Sequence, residues 1–285
     1  MENNEVIEWL LQDKNPGVKY RTQTEIMGVA GDKDQVKEWI FGKLPKDWYE
    51  TKGLWYGYYI TALAEVGLSK EDVPYEYIER ALYHVENDFT CACSDFMLIR
   101  ALVMLGYYEN EVVRNILTTL DNLALPDGGF LCKRVGKKFD YVPKSCYRAN
   151  LYALLLLSES VKKEIKPSFG KQLIDYFMKR DIFYKADKSS LIFDGKEGDR
   201  NIDVFYPFEP MRMGIQNIIE ALSALGYGNS DMLNEAWQLL HRKKDADGKL
   251  HLTGTLTKSY LPKEKVGNPS KWATFYMLLA EKERL

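Results

Sequence analysis

The chain is poor in the residues that most often announce a chemistry. Its three histidines, His84, His241 and His251, stand in no HExxH or similar ligand spacing. Its four cysteines, Cys91, Cys93, Cys132 and Cys146, include a Cys-x-Cys pair, which is not the spacing of a structural zinc site. No bound metal and no cofactor are therefore expected. A glycine-rich phosphate loop, a GxSxG elbow and a Rossmann fingerprint are all missing, as is the strand pattern that each would need. No apolar run approaches 18 residues, so no membrane span is expected. Charge of one sign is missing too: 39 basic residues against 41 acidic ones leave a net −2, which provides no field for nucleic acid or an anionic membrane. The opening stretch MENNEVIEWLLQDK is acidic and amphipathic, unlike a targeting peptide, and a cytoplasmic protein with reduced thiols is expected.

What the chain does have is helix. Its apolar content of 46% is enough for a sizeable core, and apolar periodicity with helix breakers predicts about twelve helices over one domain, 1–285. Six are amphipathic, over 2–13, 32–43, 74–86, 110–123, 168–180 and 230–242. Six are richer in Leu, Ala, Met and aromatics, over 16–29, 53–66, 92–105, 145–158, 210–225 and 269–282. Residues Leu151 to Leu157 are apolar on nearly every side of their helix, which must therefore be an inner one.

The helices repeat in pairs. Ala62-Leu63-Ala64-Glu65-Val66-Gly67, Ala101-Leu102-Val103-Met104-Leu105-Gly106 and Ala221-Leu222-Ser223-Ala224-Leu225-Gly226 each end a helix on a glycine, the residue best suited to a left-handed cap. Gly106 precedes Asp127 by 21 residues, and Gly226 precedes Asp247 by the same 21. Stacked two-helix units form an open solenoid or a closed ring. The end helices are apolar, with Trp272, Phe275 and Tyr276 at one end and Trp9, Leu10 and Tyr20 at the other. They are better buried against each other, so the expected fold is an all-α toroid of about six helical hairpins, inner ring within outer ring.

The turn Gly128-Gly129-Phe130, then Asp140, then Ser145-Cys146-Tyr147-Arg148-Ala149, resembles the terpenoid cyclase and protein prenyltransferase superfamily. That resemblance implies an α/α toroid around a central cavity and an isoprenoid-like ligand. The superfamily's catalytic signatures do not carry over. No Asp-x-Cys zinc pair occurs, Lys144 stands where a ligating His would precede the inner helix, and neither DxDD nor DDxxD is present.

Candidate site residues follow from the toroid, whose inner-helix starts converge on the cavity mouth. Arg21, Arg148, Arg212 and Lys271 are placed near inner-helix starts, where the macrodipole disfavours cations, so a compensating anion is expected. That anion is either a ligand or loop acids such as Asp95, Asp140 and Glu209. Aromatics gather at the same starts, among them Trp55, Tyr56, Tyr147 and Trp272, and suit an apolar body, a sugar ring or core packing. The expected partner is a small molecule, anionic with an apolar body.

Two further readings stand beside this one. A carbohydrate-active toroid hydrolase would need paired carboxylates, Asp95 with Glu209 or Asp140 with Asp203. A binding or scaffold protein would fill its cavity with its own side chains. Asp95 and Glu209 are the nominated mouth-side catalytic carboxylates. The four cysteines read as buried or half-buried thiols, and His251 as a candidate general base.

Overall fold

In a computed structural model the described residues are 2–51, 54–132, 138–191, 202–207, 212–254 and 264–284. Among them the chain forms twelve α-helices in alternating outer and inner positions. The outer set is α1 (Glu2–Leu10), α3 (Lys33–Phe41), α5 (Tyr75–Asn87), α7 (Glu111–Thr119), α9 (Gly170–Met178) and α11 (Asn234–Arg242). The inner set is α2 (Pro16–Arg21, continued by a π-helical turn Thr22–Ile26), α4 (Leu54–Glu65), α6 (Cys93–Leu105), α8 (Tyr147–Lys162), α10 (Ile215–Ala224) and α12 (Lys271–Glu283).

Burial separates the two sets as their sequences require. In α7 only Val113 and Leu117 are buried, whereas α8 is buried without interruption from Ala149 to Ser160. Each inner helix packs on the next, α4 on α6, α6 on α8, α8 on α10, α10 on α12, and α12 on α2 with its π turn. Val66, just past the end of α4, closes on Gly17 of α2, leaving a β-carbon at Gly17 only 3.0 Å of room. The ring is thus complete, an α/α toroid with one continuous hydrophobic cluster between its layers. Two short parallel strands, β1 (Ile202–Asp203) and β2 (Met213–Gly214), are an addition that the helical periodicity did not predict.

Two of the turns that lead from outer to inner helices share one hydrogen-bond pattern. Cys146 N–H donates to Phe130 O at 2.7 Å, and Ser270 N–H donates to Leu250 O at 2.8 Å. Phe130 N–H donates to Asn150 Oδ1 at 2.8 Å, and Leu250 N–H donates to Thr274 Oγ1 at 3.0 Å. The loop strand is thereby tied to the start of the helix it feeds. The tie is tightest at Gly129, where an added β-carbon would stand 2.3 Å from Asn150 Nδ2 and 2.6 Å from Ser145 Oγ. Gly129→Ala is expected to destabilise the fold by about 1–3 kcal/mol through overpacking, measured by denaturant unfolding.

The axis of the ring is filled toward the ends of the inner helices by charge. Glu65 on α4 accepts from Arg100 of α6 and from the Tyr276 hydroxyl of α12. Arg21 on α2 donates to Tyr276 Oη at 2.8 Å, to Glu65 Oε2 at 3.3 Å and to Glu25 Oε2 at 2.7 Å. Arg100 reaches Glu159 of α8 at 3.4 Å. Arg21 is therefore corrected from a helix-start cation to the last residue of α2, buried at the far end from the mouth. It satisfies its guanidinium within the chain, because a buried cation needs a carboxylate at hand.

Candidate functional site

The start of α6 is organised by Asp95. Backbone N–H groups of Thr90 and Ala92 donate to its Oδ2 at 2.8 and 3.1 Å, and the Thr90 hydroxyl does so at 3.0 Å. An acid at the third position of a helix that meets these free amides closes the helix start and is favoured by the dipole. The preceding turn is held open by Cys91, whose φ is 53°. That turn brings the end of α5 against α6, and His84 Nε2 reaches Asp95 Oδ1 at 3.2 Å. On the other side of the imidazole, Nδ1 lies 3.9 Å from Asp88 Oδ2.

This histidine between two carboxylates opens on a cavity of about 450 Å³ at the mouth face, walled by Tyr56, Arg80, Tyr83 and Ser94. Tyr56 donates its hydroxyl to Tyr77 O at 2.7 Å, and the Arg80 guanidinium lies 4.4 Å over its ring. Arg80 is itself anchored on the carbonyls of Tyr49 and Thr51, both at 2.9 Å. Tyr83 is 64% exposed at the rim.

The electrostatics divide the labour. Burial works against the charge of Asp95, yet hydrogen bonds from His84, Thr90 and Ala92 hold its carboxyl below the usual range. The hydrogen bond to Asp95 in turn raises His84 above the ordinary imidazole value, against a smaller opposing effect of burial. The contact between the two thus favours charge on Asp95 and a proton on His84. Among the described residues no group of three His, Cys, Asp or Glu is arranged to hold a metal ion.

The other residues singled out in the sequence lie elsewhere. Glu209 is outside the described residues, and so is the side chain of Trp55. Tyr147 donates to Ile182 O at 2.6 Å and packs edge-on against Phe177 at 5.7 Å, between α8 and α9. Trp272 is fully buried, edge-on to Phe275 at 6.2 Å, so it is a core residue and not a cavity wall. The ammonium of Lys271 turns outward to the carbonyls of Trp9 and Gln12, at 2.5 and 3.2 Å, and caps the end of α1. Burial lowers it to about 8. Arg148 stays at the start of α8 beside Cys93, and the Arg212 guanidinium stacks 5.3 Å over Phe205. The four cations thus do not converge on one anion site: Arg21 and Lys271 have found internal acceptors at opposite ends of the ring.

Asp203 is buried and ion-paired with Lys243 at 2.5 Å, while Asp140 is exposed. Cys132 acts electrostatically on both Cys91 and Cys93, and Cys146 on Cys93; Cys91 is buried and the other three are half-buried. Burial pushes Cys91 up to about 12 and raises Cys93, so both are thiols and not thiolates. His251 spans Asp245 at 2.7 Å and Gly267 O at 3.0 Å, clipping the second turn with both ring nitrogens.

His84 lies on the outer helix α5 and is half-buried there. Its signal was the spacing His84-x3-Asp88, followed by an acid at the start of the next helix.

No family model matches the chain, and no curated protein does. Among solved structures, a glycosyl hydrolase of family 88 from Bacteroides vulgatus matches with a TM-score of 0.53 at 16% identity, over 99% of this chain and 98% of that one. The toroid stands on this likeness, whereas the isoprenoid side of the sequence resemblance finds no support in it. Among the described residues no helix is long and apolar enough to cross a membrane.

Proposed function

We propose that this chain is a carbohydrate-active α/α-toroid hydrolase that binds a saccharide in the His84 pocket and cleaves a glycosidic bond there. Glycoside hydrolysis needs a proton donor at the leaving oxygen and a base for the attacking water. His84, with its raised proton affinity, is the proposed donor through Nδ1, Nε2 being engaged by Asp95; once it has protonated the leaving oxygen, the same nitrogen takes the proton of the attacking water, and the Asp88 carboxylate 3.9 Å away is proposed to steady the imidazolium. Asp95 acts through His84, fixing the ring with Nε2 engaged, and is a positioning residue. The exposed ring of Tyr83 suits the C–H face of a sugar, with Ser94 and Arg80 in reach of hydroxyls.

The observation that carries the reading is the imidazole held between two carboxylates in an open, aromatic-walled pocket. The end-to-end likeness of fold to a glycosyl hydrolase supports it by analogy. Incubation with a panel of oligosaccharides, watched for new reducing ends, tests it. Release by the wild type and loss in His84→Ala are expected, while no release and no binding across the panel would overturn it.

A further inference from the structure

After the Asp247-Gly248 turn the backbone of residues 250–254 is tied on both sides. Thr253 N–H donates to Val204 O at 3.0 Å, just past β1. On the other side Gly267 N–H donates to Leu252 O at 2.8 Å, and Leu252 N–H donates to Asn268 O at 3.2 Å. The stretch that enters α12 is thus laid along this segment. Gly267 takes a left-handed φ of 83° there, and Asn268 N–H donates to Lys265 O at 3.1 Å. His251 stands at the junction, with Nε2 2.7 Å from Asp245 Oδ2 and Nδ1 3.0 Å from the Gly267 carbonyl oxygen.

The chemistry of these two partners fixes the state of the ring. A carbonyl oxygen only accepts, and so does an ionised carboxylate. Asp245 is held in that form, since its Oδ1 accepts from the backbone N–H groups of Asp247 and Lys249 at 3.0 and 2.9 Å. Although burial works against its charge, hydrogen bonds from Lys249, His251 and Asp247 keep its carboxyl below the usual range. Both ring nitrogens must therefore donate, which the imidazolium can do and the neutral ring cannot. In the neutral ring one of the two contacts sets a lone pair against a lone pair. The bond to Asp245, and after it the bond to Gly267, raise His251 above the ordinary 6.5. A ring protonated on both nitrogens has no lone pair to take a proton, so His251 is not a general base while it spans these groups.

The other charged groups nearby have partners of their own. Lys249 opposes a charged ring but is paired with Asp247 at 3.0 Å. Lys244 is paired with Glu281 at 2.7 Å, and Asp203 of β1 with Lys243 at 2.5 Å. Ahead of Gly267, Glu264 accepts from Lys271 N–H at 2.7 Å and from the Ser270 hydroxyl, and Lys265 is exposed.

We propose that His251 is a pH-sensitive clip: as the imidazolium it joins Asp245 to the Gly267 carbonyl, and loss of one proton releases that carbonyl. The bond to Asp245 is the one kept, because a lone pair on Nε2 would face the carboxylate. The stretch that enters α12 is then held by its backbone bonds alone, and it loosens as pH rises through the ring's raised value. The clip is independent of the hydrolase reading, since no residue of the His84 pocket takes part.

NMR of the full chain with nitrogen-labelled histidine tests the clip, the His84 signals being assigned from the His84→Ala spectrum. His251 is expected to titrate above 6.5, from a ring protonated on both nitrogens to one that keeps its proton on Nε2. Protection of the Leu252 and Gly267 amides from exchange, corrected for the intrinsic rate, should fall roughly three- to tenfold across that titration. His251→Ala should show the lower protection at every pH. Asp245→Asn separates the clip from a merely structural contact: its amide oxygen can keep the two backbone bonds while its N–H donates to a neutral ring. In that variant His251 is expected to titrate below the wild-type value, and protection should persist at about pH 9. The clip is overturned if wild-type His251 titrates at or below 6.5, or if protection does not change across its titration. An Asp245→Asn variant that loses protection with rising pH as the wild type does would equally overturn it.

Discussion

Glu65→Leu is expected to destabilise the fold by about 3–5 kcal/mol, because it strands two buried guanidiniums around one missing carboxylate. Glu65 is 1% exposed and accepts from Arg100, Arg21 and the Tyr276 hydroxyl. Without it Arg100 keeps only the 3.4 Å contact to Glu159, and its Nε already lacks a partner. Arg21 is better placed, since Glu25 accepts from both Nε and Nη2. The double change Glu65→Leu with Arg100→Met removes both charges together, and is expected to cost less than Glu65→Leu alone. Denaturant unfolding of the two variants checks this, with a fall in Tm of roughly 10 °C for the single change. A double variant less stable than the single one would mean that the cluster is a net source of stability. Salt should alter the result little, because the cluster is shielded from screening ions.

His84→Ala is expected to lower turnover by about 10²- to 10⁴-fold, the range for removal of a general acid or base. Asp95→Asn should leave the ring in place but weaken its hold on the proton. The ordinary imidazole value is 6.5, and Asp95 raises His84 above it. A protonated His84 acting as acid is lost as pH rises through that raised value, so the wild-type rate falls on the alkaline side. In Asp95→Asn the falling limb moves to lower pH, and kcat drops with KM nearly unchanged. A merely structural Asp95 would move stability and leave the limb where it was. The same shift bears on folding: a proton held more tightly in the folded state stabilises it below about pH 6.5, and that contribution fades as pH rises through the folded value.

The double ring was legible in the sequence because each layer has its own signature. The expected inner spans 92–105 and 269–282 correspond to Cys93–Leu105 and Lys271–Glu283. The glycines read as helix ends, Gly67, Gly106 and Gly226, do take left-handed φ values of 91, 95 and 84°. The charges within the inner helices were not legible in the same way. Glu65 meets Arg100 across 35 residues and Tyr276 across 211, pairings that exist only once the ring has closed. Arg21 appeared to be near a helix start because the periodicity of 16–29 conceals a break into a π turn at Thr22. The pairing of His84 with Asp95 was not legible either, because Asp95 belongs to the next helix and is brought near by the turn through Cys91. Local patterns specify elements, while the partners of buried charges depend on topology.

The most direct measurement of the proposed activity is the NMR titration of the His84 imidazole, with an oligosaccharide hydrolysed in the panel or, if none is, with a neutral trisaccharide. Saccharide is expected to shift the His84 ring resonances and to protect the amides of Thr90 and Ala92, and His84→Ala should remove both the response and the turnover. Turnover that persists in His84→Ala, or saccharide binding that leaves the His84 resonances unmoved, would contradict the assignment of the site.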